Sequence, residues 1–231
     1  MEYFTNGLLR AVALLASGDP ATFSAVAATL TATAMAMFAA LVPGLPLGFC
    51  LGYFDFPGRR VLRMLSDAFM AFPTVVIGLL VYAMLSHRGP LGEWGLLFTI
   101  PGMSIGLALL ALPMIISLTA AAVEGMDPRL RLTLLTLGAD GRQLPLGVLW
   151  EVRHAVMAGI LAAFGRVVSE VGIAMMVGGN IKWHTRTITT AIALETGKGE
   201  FAEGIALGLV LLAIAITLNA ILAMLRRRSG A

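Results

Sequence analysis

The chain has 231 residues, of which 58% are hydrophobic and only 13% charged, with mean hydropathy +0.90 and a formal net charge of +3. Soluble globular domains carry about twice that charged fraction. The composition therefore excludes a soluble globular enzyme or carrier and places the chain among membrane proteins. The single cysteine, Cys50, lies in an apolar run. It excludes a disulfide framework and reads as a small packing residue rather than a reactive thiol.

Residues 1–18 read as a short helix lying on the membrane. Phe4, Leu8, Leu9, Val12 and Leu15 form an apolar stripe, and Ser17-Gly18-Asp19-Pro20 ends it. The alternative is a first spanning helix, for which the segment is short. No cleavable signal is expected, because Glu2 precedes Arg10 and no small-residue cleavage pattern follows.

Residues 20–54 contain no charge and predict one long, tilted span. Pro43 and Pro46 are expected to kink it near its end. Gly44, Gly48 and Gly52 recur every fourth residue, which makes a smooth face for close helix contact. Residues 55–63 form a charged turn with Arg59, Arg60 and Arg63. A second span is expected over 68–86 with a kink at Pro73, then a polar turn over 87–93. A third span covers 94–123 and contains Pro113.

The stretch 124–154 breaks this oily pattern. It carries Glu124, Asp127, Arg129, Arg131, Asp140, Arg142, Glu151 and Arg153, too many charges for hydrocarbon. Leu130, Leu134 and Leu137 share one helical face, and Leu144, Val148 and Trp150 another. Gly138-Ala139-Asp140-Gly141 between them reads as a helix stop, a tight turn and a new start. The expectation is a helix–turn–helix hairpin projecting from the membrane, suited to docking a soluble partner.

A fourth span is expected over 155–181, interrupted by Arg166 and Glu170. These stand four apart on one face and read first as an intrahelical ion pair, with a gate as the alternative. Residues 182–203 are polar and Thr-rich. A fifth span over 204–225 closes on Arg226-Arg227-Arg228. The fold class is all-α: about five transmembrane helices plus an N-terminal interfacial helix (1–20), with 21–226 as a single membrane domain.

Placing the 55–63 turn, the hairpin and the C-terminus on one side gathers ten Lys and Arg residues there, against five on the other. That bias puts the hairpin and C-terminus in the cytoplasm and the N-terminus outside. The chain has no GxxxxGK[ST] loop to cradle a nucleotide, no His/Cys spacing typical of a metal site and no nucleophile–base arrangement. No cofactor, catalytic residue or nucleic-acid partner is expected. A stand-alone secondary transporter would call for paired half-helices in repeated halves, and no repeat is visible.

Leu132 through Ala139, with the helix that follows to Gly159, resembles the EAA loop of ABC-importer permeases. Gly138 holds the loop's glycine position, whereas Leu132, Thr133 and Leu134 replace the acid and two alanines and Trp150 replaces the proline. Further segments resemble tungstate-type permeases: Phe72-Pro73-Thr74 through Leu80, Gly89-Pro90-Leu91-Gly92, Leu96 through Thr99, Ser169-Glu170-Val171-Gly172, Met175 through Ile181, and Thr185 through Thr196. The likeness covers about Thr22 to Leu225.

It implies a type I ABC importer membrane fold and a homodimer in the inner membrane. Two cytoplasmic ATPase subunits and an extracytoplasmic oxyanion-binding protein complete the assembly that it implies. The cargo would be tungstate, with molybdate or sulfate as alternatives. Leu135, Thr136, Leu137, Gly138, Ala139 and Asp140 would meet the ATPase. Asn180, Thr185, Arg186, Thr187, Thr189 and Thr190 would line the path of a dianion, or else form a membrane-surface helix touching the binding protein.

Overall fold

The computed structural model describes residues 2–141 and 143–228, and all their regular structure is helical. The organising pair is α2 (Pro20–Tyr53) and α5 (Ile100–Glu124), which pack along much of their length. Asp19 starts α2 by accepting the Thr22 N–H at 2.8 Å and its hydroxyl at 2.7 Å. Thr99 caps α5 by accepting the Gly102 N–H at 3.1 Å, with Pro101 just inside the first turn. That cap is why the third span begins at Ile100 and not at Trp94.

The glycine stripe is the contact between these helices. A Cβ on Gly44 would lie 2.9 Å from Ile115 Cγ2, and one on Gly48 would lie 2.7 Å from the Ile116 carbonyl oxygen. One on Gly52 would lie 2.7 Å from the Ala120 carbonyl oxygen. Lipid gives helices no hydrophobic reason to associate, so backbone-to-backbone proximity of this kind supplies the packing energy. Ser104 adds a hydroxyl bond to the Ala32 carbonyl at 3.2 Å. Pro43 and Pro46 lie inside α2, which runs through both without a break.

Two expected spans are broken, and one short helix is seated differently. The expected turn over 55–63 is helical from Arg59: α3 (Arg59–Met70) carries its three arginines and takes in only the start of the expected second span, whose remainder is α4 (Thr74–Leu85), bent by 96° from α3. Pro73 stands just before α4 and lacks the N–H that would continue the helix. The fourth is the second half of a longer helix, α7 (Gln143–Val168), which begins inside the hairpin; after a break it resumes as α8 (Gly172–Gly178). The sequence division at residue 154 therefore has no structural counterpart. Among the described residues, α2, α5 and α7 are each long and apolar enough to cross a membrane, and the bent α3–α4 pair qualifies together.

Helix α1 (Glu2–Ser17) packs on α10 (Phe201–Arg228). Gly7 abuts Ile205, Arg10 bonds Glu203 at 2.8 Å, and Ala11 and Leu14 are buried with Ala206, Leu207 and Val210. The buried face is thus Gly7, Ala11 and Leu14, while Leu8, Leu9 and Val12 of the expected stripe point outward. Helix α9 (Ile188–Gly197) also packs on α10, and α4 lies on α8 with Gly78 against Ile173 and Met176.

Candidate functional site

The hairpin forms as the sequence suggests. Helix α6 (Pro128–Thr136) is capped by Asp127, whose Oδ1 accepts the Arg129 N–H at 2.9 Å. It ends on Gly138, which takes φ +83°, with the Gly138 N–H on the Leu135 carbonyl and the Ala139 N–H on the Leu134 carbonyl. Asp140 then starts α7: its Oδ1 accepts the Gln143 N–H at 2.8 Å while Gln143 Oε1 accepts the Asp140 N–H at 3.1 Å, a reciprocal capping box. Arg142 lies outside the described residues.

Leu134 closes the hairpin on itself. A Cβ on Gly147 would come within 2.9 Å of Leu134 Cδ1, so this glycine admits the leucine. Val148, Val152 and Val156 are buried with Val123 at the root. Leu137 and Trp150 do not join the inward faces that periodicity assigned to them. Leu137 sits past the end of α6 and is 79% exposed, and Trp150 is 65% exposed with the Arg153 guanidinium 4.3 Å over its ring. Together with Leu132, Leu135 and Leu146 they give the hairpin an exposed apolar surface at its tip and flank. Leu135, Thr136, Gly138 and Asp140 are exposed and Ala139 is half-buried, so the six expected contact residues are contiguous on this tip.

The Thr-rich loop lies near the other end of α2, which at 34 residues is about 50 Å long. Arg186 lines a cleft of about 340 Å³ there, together with Arg10, Asp19, Lys182, Glu195, Glu200 and Glu203. Its guanidinium donates to Asn180 Oδ1 at 3.1 Å and to the Asn180 carbonyl at 3.4 Å. The four threonines are buried and engaged. Thr185 bonds the Gly178 carbonyl and accepts the Ile181 N–H at 3.2 Å. Thr187 and Thr190 cap α9 reciprocally, and the Thr189 hydroxyl donates to the Glu170 carbonyl at 2.9 Å. Thr29 of α2, which sequence reading passed over, accepts the Ile188 N–H at 3.0 Å. In this conformation two first-turn N–H groups of α9, on Ile188 and Thr190, are used inside the protein, so the helix start offers an anion little.

Arg166 and Glu170 pair at 3.2 Å, as the spacing predicts. Glu170 is not within a helix, however. It sits in the break between α7 and α8, nearly fully buried, and its second oxygen accepts the Ile173 N–H at 3.3 Å. The carboxylate thus serves the start of α8 as well as the arginine. Outside the membrane-spanning helices, Thr22 donors hold the Asp19 carboxyl below the usual carboxylate range.

This architecture is that of a multi-helix membrane protein with an exposed helix–turn–helix hairpin. The chain belongs to the family of binding-protein-dependent transport system inner membrane components, whose model matches residues 44–230. It is therefore a multi-pass protein of the inner membrane and a permease subunit. It is 46% identical to the tungstate uptake system permease protein TupB of Campylobacter jejuni, over 98% of this chain and 95% of the relative. It is 36% identical to the protein of the same name from Peptoclostridium acidaminophilum, over 96% and 97%. The sulfate transport system permease protein CysT of Escherichia coli matches at 29%, over 92% of this chain and 79% of the relative.

Proposed function

We propose that the chain is the membrane permease of an ATP-driven tungstate importer, working as a homodimer with two separate ATPase subunits and an extracytoplasmic binding protein. The observation that carries this reading is the hairpin: a capped elbow rooted in the membrane helices, with exposed apolar side chains at its tip and flank. Exposed apolar surface at the tip of a projecting element is a liability unless something covers it. A helix fitted into a groove of the ATPase covers it and transmits force. The Lys and Arg bias supports a cytoplasmic hairpin and C-terminus with the N-terminus outside. Tungstate is favoured over sulfate because the matches to tungstate permeases have higher identity and cover more of each relative.

Hydrolysis in the partner moves the two hairpins, and the path between the permease copies opens to each side in turn. Asn180 and Arg186 lie near the outer mouth and meet the dianion there, with Thr185, Thr187, Thr189 and Thr190 shaping the loop behind them. The test is reconstitution with the ATPase and binding protein in vesicles. ATP-dependent tungstate uptake that equimolar sulfate does not suppress supports the reading; sulfate uptake without tungstate uptake refutes it. In a Cys50→Ala background, Leu137→Cys reacts only from the cytoplasmic side, and labelling from outside overturns the orientation.

A further inference from the structure

The polar face of α3 makes a network that neither the docking hairpin nor the dianion path uses. Glu124 is the last residue of α5, three positions before the Asp127 cap that starts the hairpin. Each of its carboxylate oxygens meets a different arginine: Arg59 Nη2 lies 3.0 Å from Oε1, and Arg63 Nε lies 3.3 Å from Oε2. Arg59 also donates to the Leu51 carbonyl at 2.8 Å and the Gly52 carbonyl at 3.2 Å, at the end of α2, and pairs with Asp55. Arg63 reaches Asp67 at 2.8 Å and the buried Ser117 hydroxyl of α5 at 2.6 Å, and that hydroxyl bonds Asp67. One carboxylate therefore joins the ends of α2, α3 and α5 where the hairpin begins.

Apolar burial holds α3 little. None of its residues is buried, and Val61, Leu62, Met64, Leu65 and Phe69 all face outward. Its charged side faces the protein, the reverse of a helix held by an apolar face. The arginines and Glu124 are only 21–33% exposed, so their attraction is screened less than that of a surface pair. Beyond α3, the 96° elbow leads to α4, which packs on α8.

We infer that Glu124, gripped by Arg59 and Arg63, is the positioning residue that carries movement of the hairpin to the α3–α4 elbow and so to the helices around the path. The inference rests on the hairpin's reading as the ATPase dock. Only Gly125 and Met126 separate Glu124 from the hairpin's cap, so a shift of the hairpin is felt at Glu124. Close packing of α5 on α2 leaves α3 as the element free to respond. Coupling between sites requires a physical element whose arrangement both of them bias, and this ionic joint meets that requirement.

The test uses the assembled complex in vesicles and reads oxyanion taken up per ATP hydrolysed, for whichever of tungstate, molybdate or sulfate the wild type moves. A mistaken cargo then shows in the wild type and leaves the variant comparison intact. Glu124→Gln keeps the shape and removes the charge. The expected result is retained ATPase co-purification and ATP hydrolysis, with the transport ratio falling about tenfold, inside the roughly 5- to 150-fold span of site-to-site coupling. Glu124→Asp recovers most of the ratio. An unchanged ratio overturns the inference, and so does a loss of uptake that tracks loss of the docked ATPase. Should Glu124→Gln fail to accumulate, Arg63→Lys keeps the charge and gives up the second donor nitrogen; a wild-type ratio in that variant overturns the inference equally.

Discussion

Gly48→Ala tests the packing of α2 on α5. The added Cβ would stand 2.7 Å from the Ile116 carbonyl oxygen, 2.7 Å from Thr119 Cβ and 3.1 Å from Ile116 Cα. Two of these three atoms are backbone, so no side chain can swing away to make room. Carbon contacts settle near 3.5–4.0 Å, so the helices must part by about 1 Å, which forfeits a quarter to a half of the dispersion energy of the contacts that open. Overpacking of this kind costs about 1–3 kcal/mol. For a chain of this size, 2 kcal/mol corresponds to a fall of about 4–8 °C in melting temperature. Gly208→Ala in α10 is the control, because its Cβ would meet no atom within 4 Å. There the change should stabilise by roughly 0.4–1 kcal/mol through reduced freedom of the unfolded chain. Thermal unfolding of both variants in the same detergent reads the difference. A Gly48→Ala protein melting no lower than Gly208→Ala would refute the close-contact account.

Gly138→Asp places a side chain at φ +83°, at a local cost of about 1–2 kcal/mol, and sets a new charge on the hairpin tip. Pull-down of the ATPase should fall while the spans stay folded, melting only a few degrees lower; equal recovery of the ATPase counts against the docking role. Arg186→Glu reverses the charge beside Asn180 and should slow uptake about tenfold, equivalent to one 1.4 kcal/mol interaction, with docking intact. Unchanged transport removes Arg186 from the dianion's route. Asp19→Ala removes the cap of α2 and should cost about 1 kcal/mol at neutral pH. Because Thr22 lowers the folded-state pKa of Asp19, its stabilisation is complete above the ordinary aspartate range and is lost as pH falls through the lowered value. Melting curves across that acid window should therefore converge for wild type and variant, and a constant gap would sink the argument.

Much of the candidate site was legible because its causes are local. A charged run between oily segments cannot stay in hydrocarbon, and Gly138 and Asp140 carry turn and cap chemistry wherever they occur. The Arg166–Glu170 pair likewise follows from a spacing of four residues, although Glu170 itself lies just past the end of α7. The inward faces of the hairpin were legible only in part. Leu134, Leu144 and Val148 follow the helical period, but Leu137 and Trp150 do not, because the first lies past the helix end and the second faces outward under Arg153.

The sequence by itself determined the membrane class, the helical fold, the glycine seam and the helix–turn–helix hairpin, since each depends on composition or on neighbours within a few positions. Tertiary structure decided the rest. It placed the break at Glu170, where a buried carboxylate serves the start of the next helix. It turned the four threonines inward, onto carbonyls and N–H groups supplied by other segments. It brought Arg59 and Arg63 onto a carboxylate 61 or more positions away. The physical reason is that partly buried charge and hydroxyl groups take whichever partner the packed backbones bring within reach, and that choice is made only when α2, α3 and α5 come together.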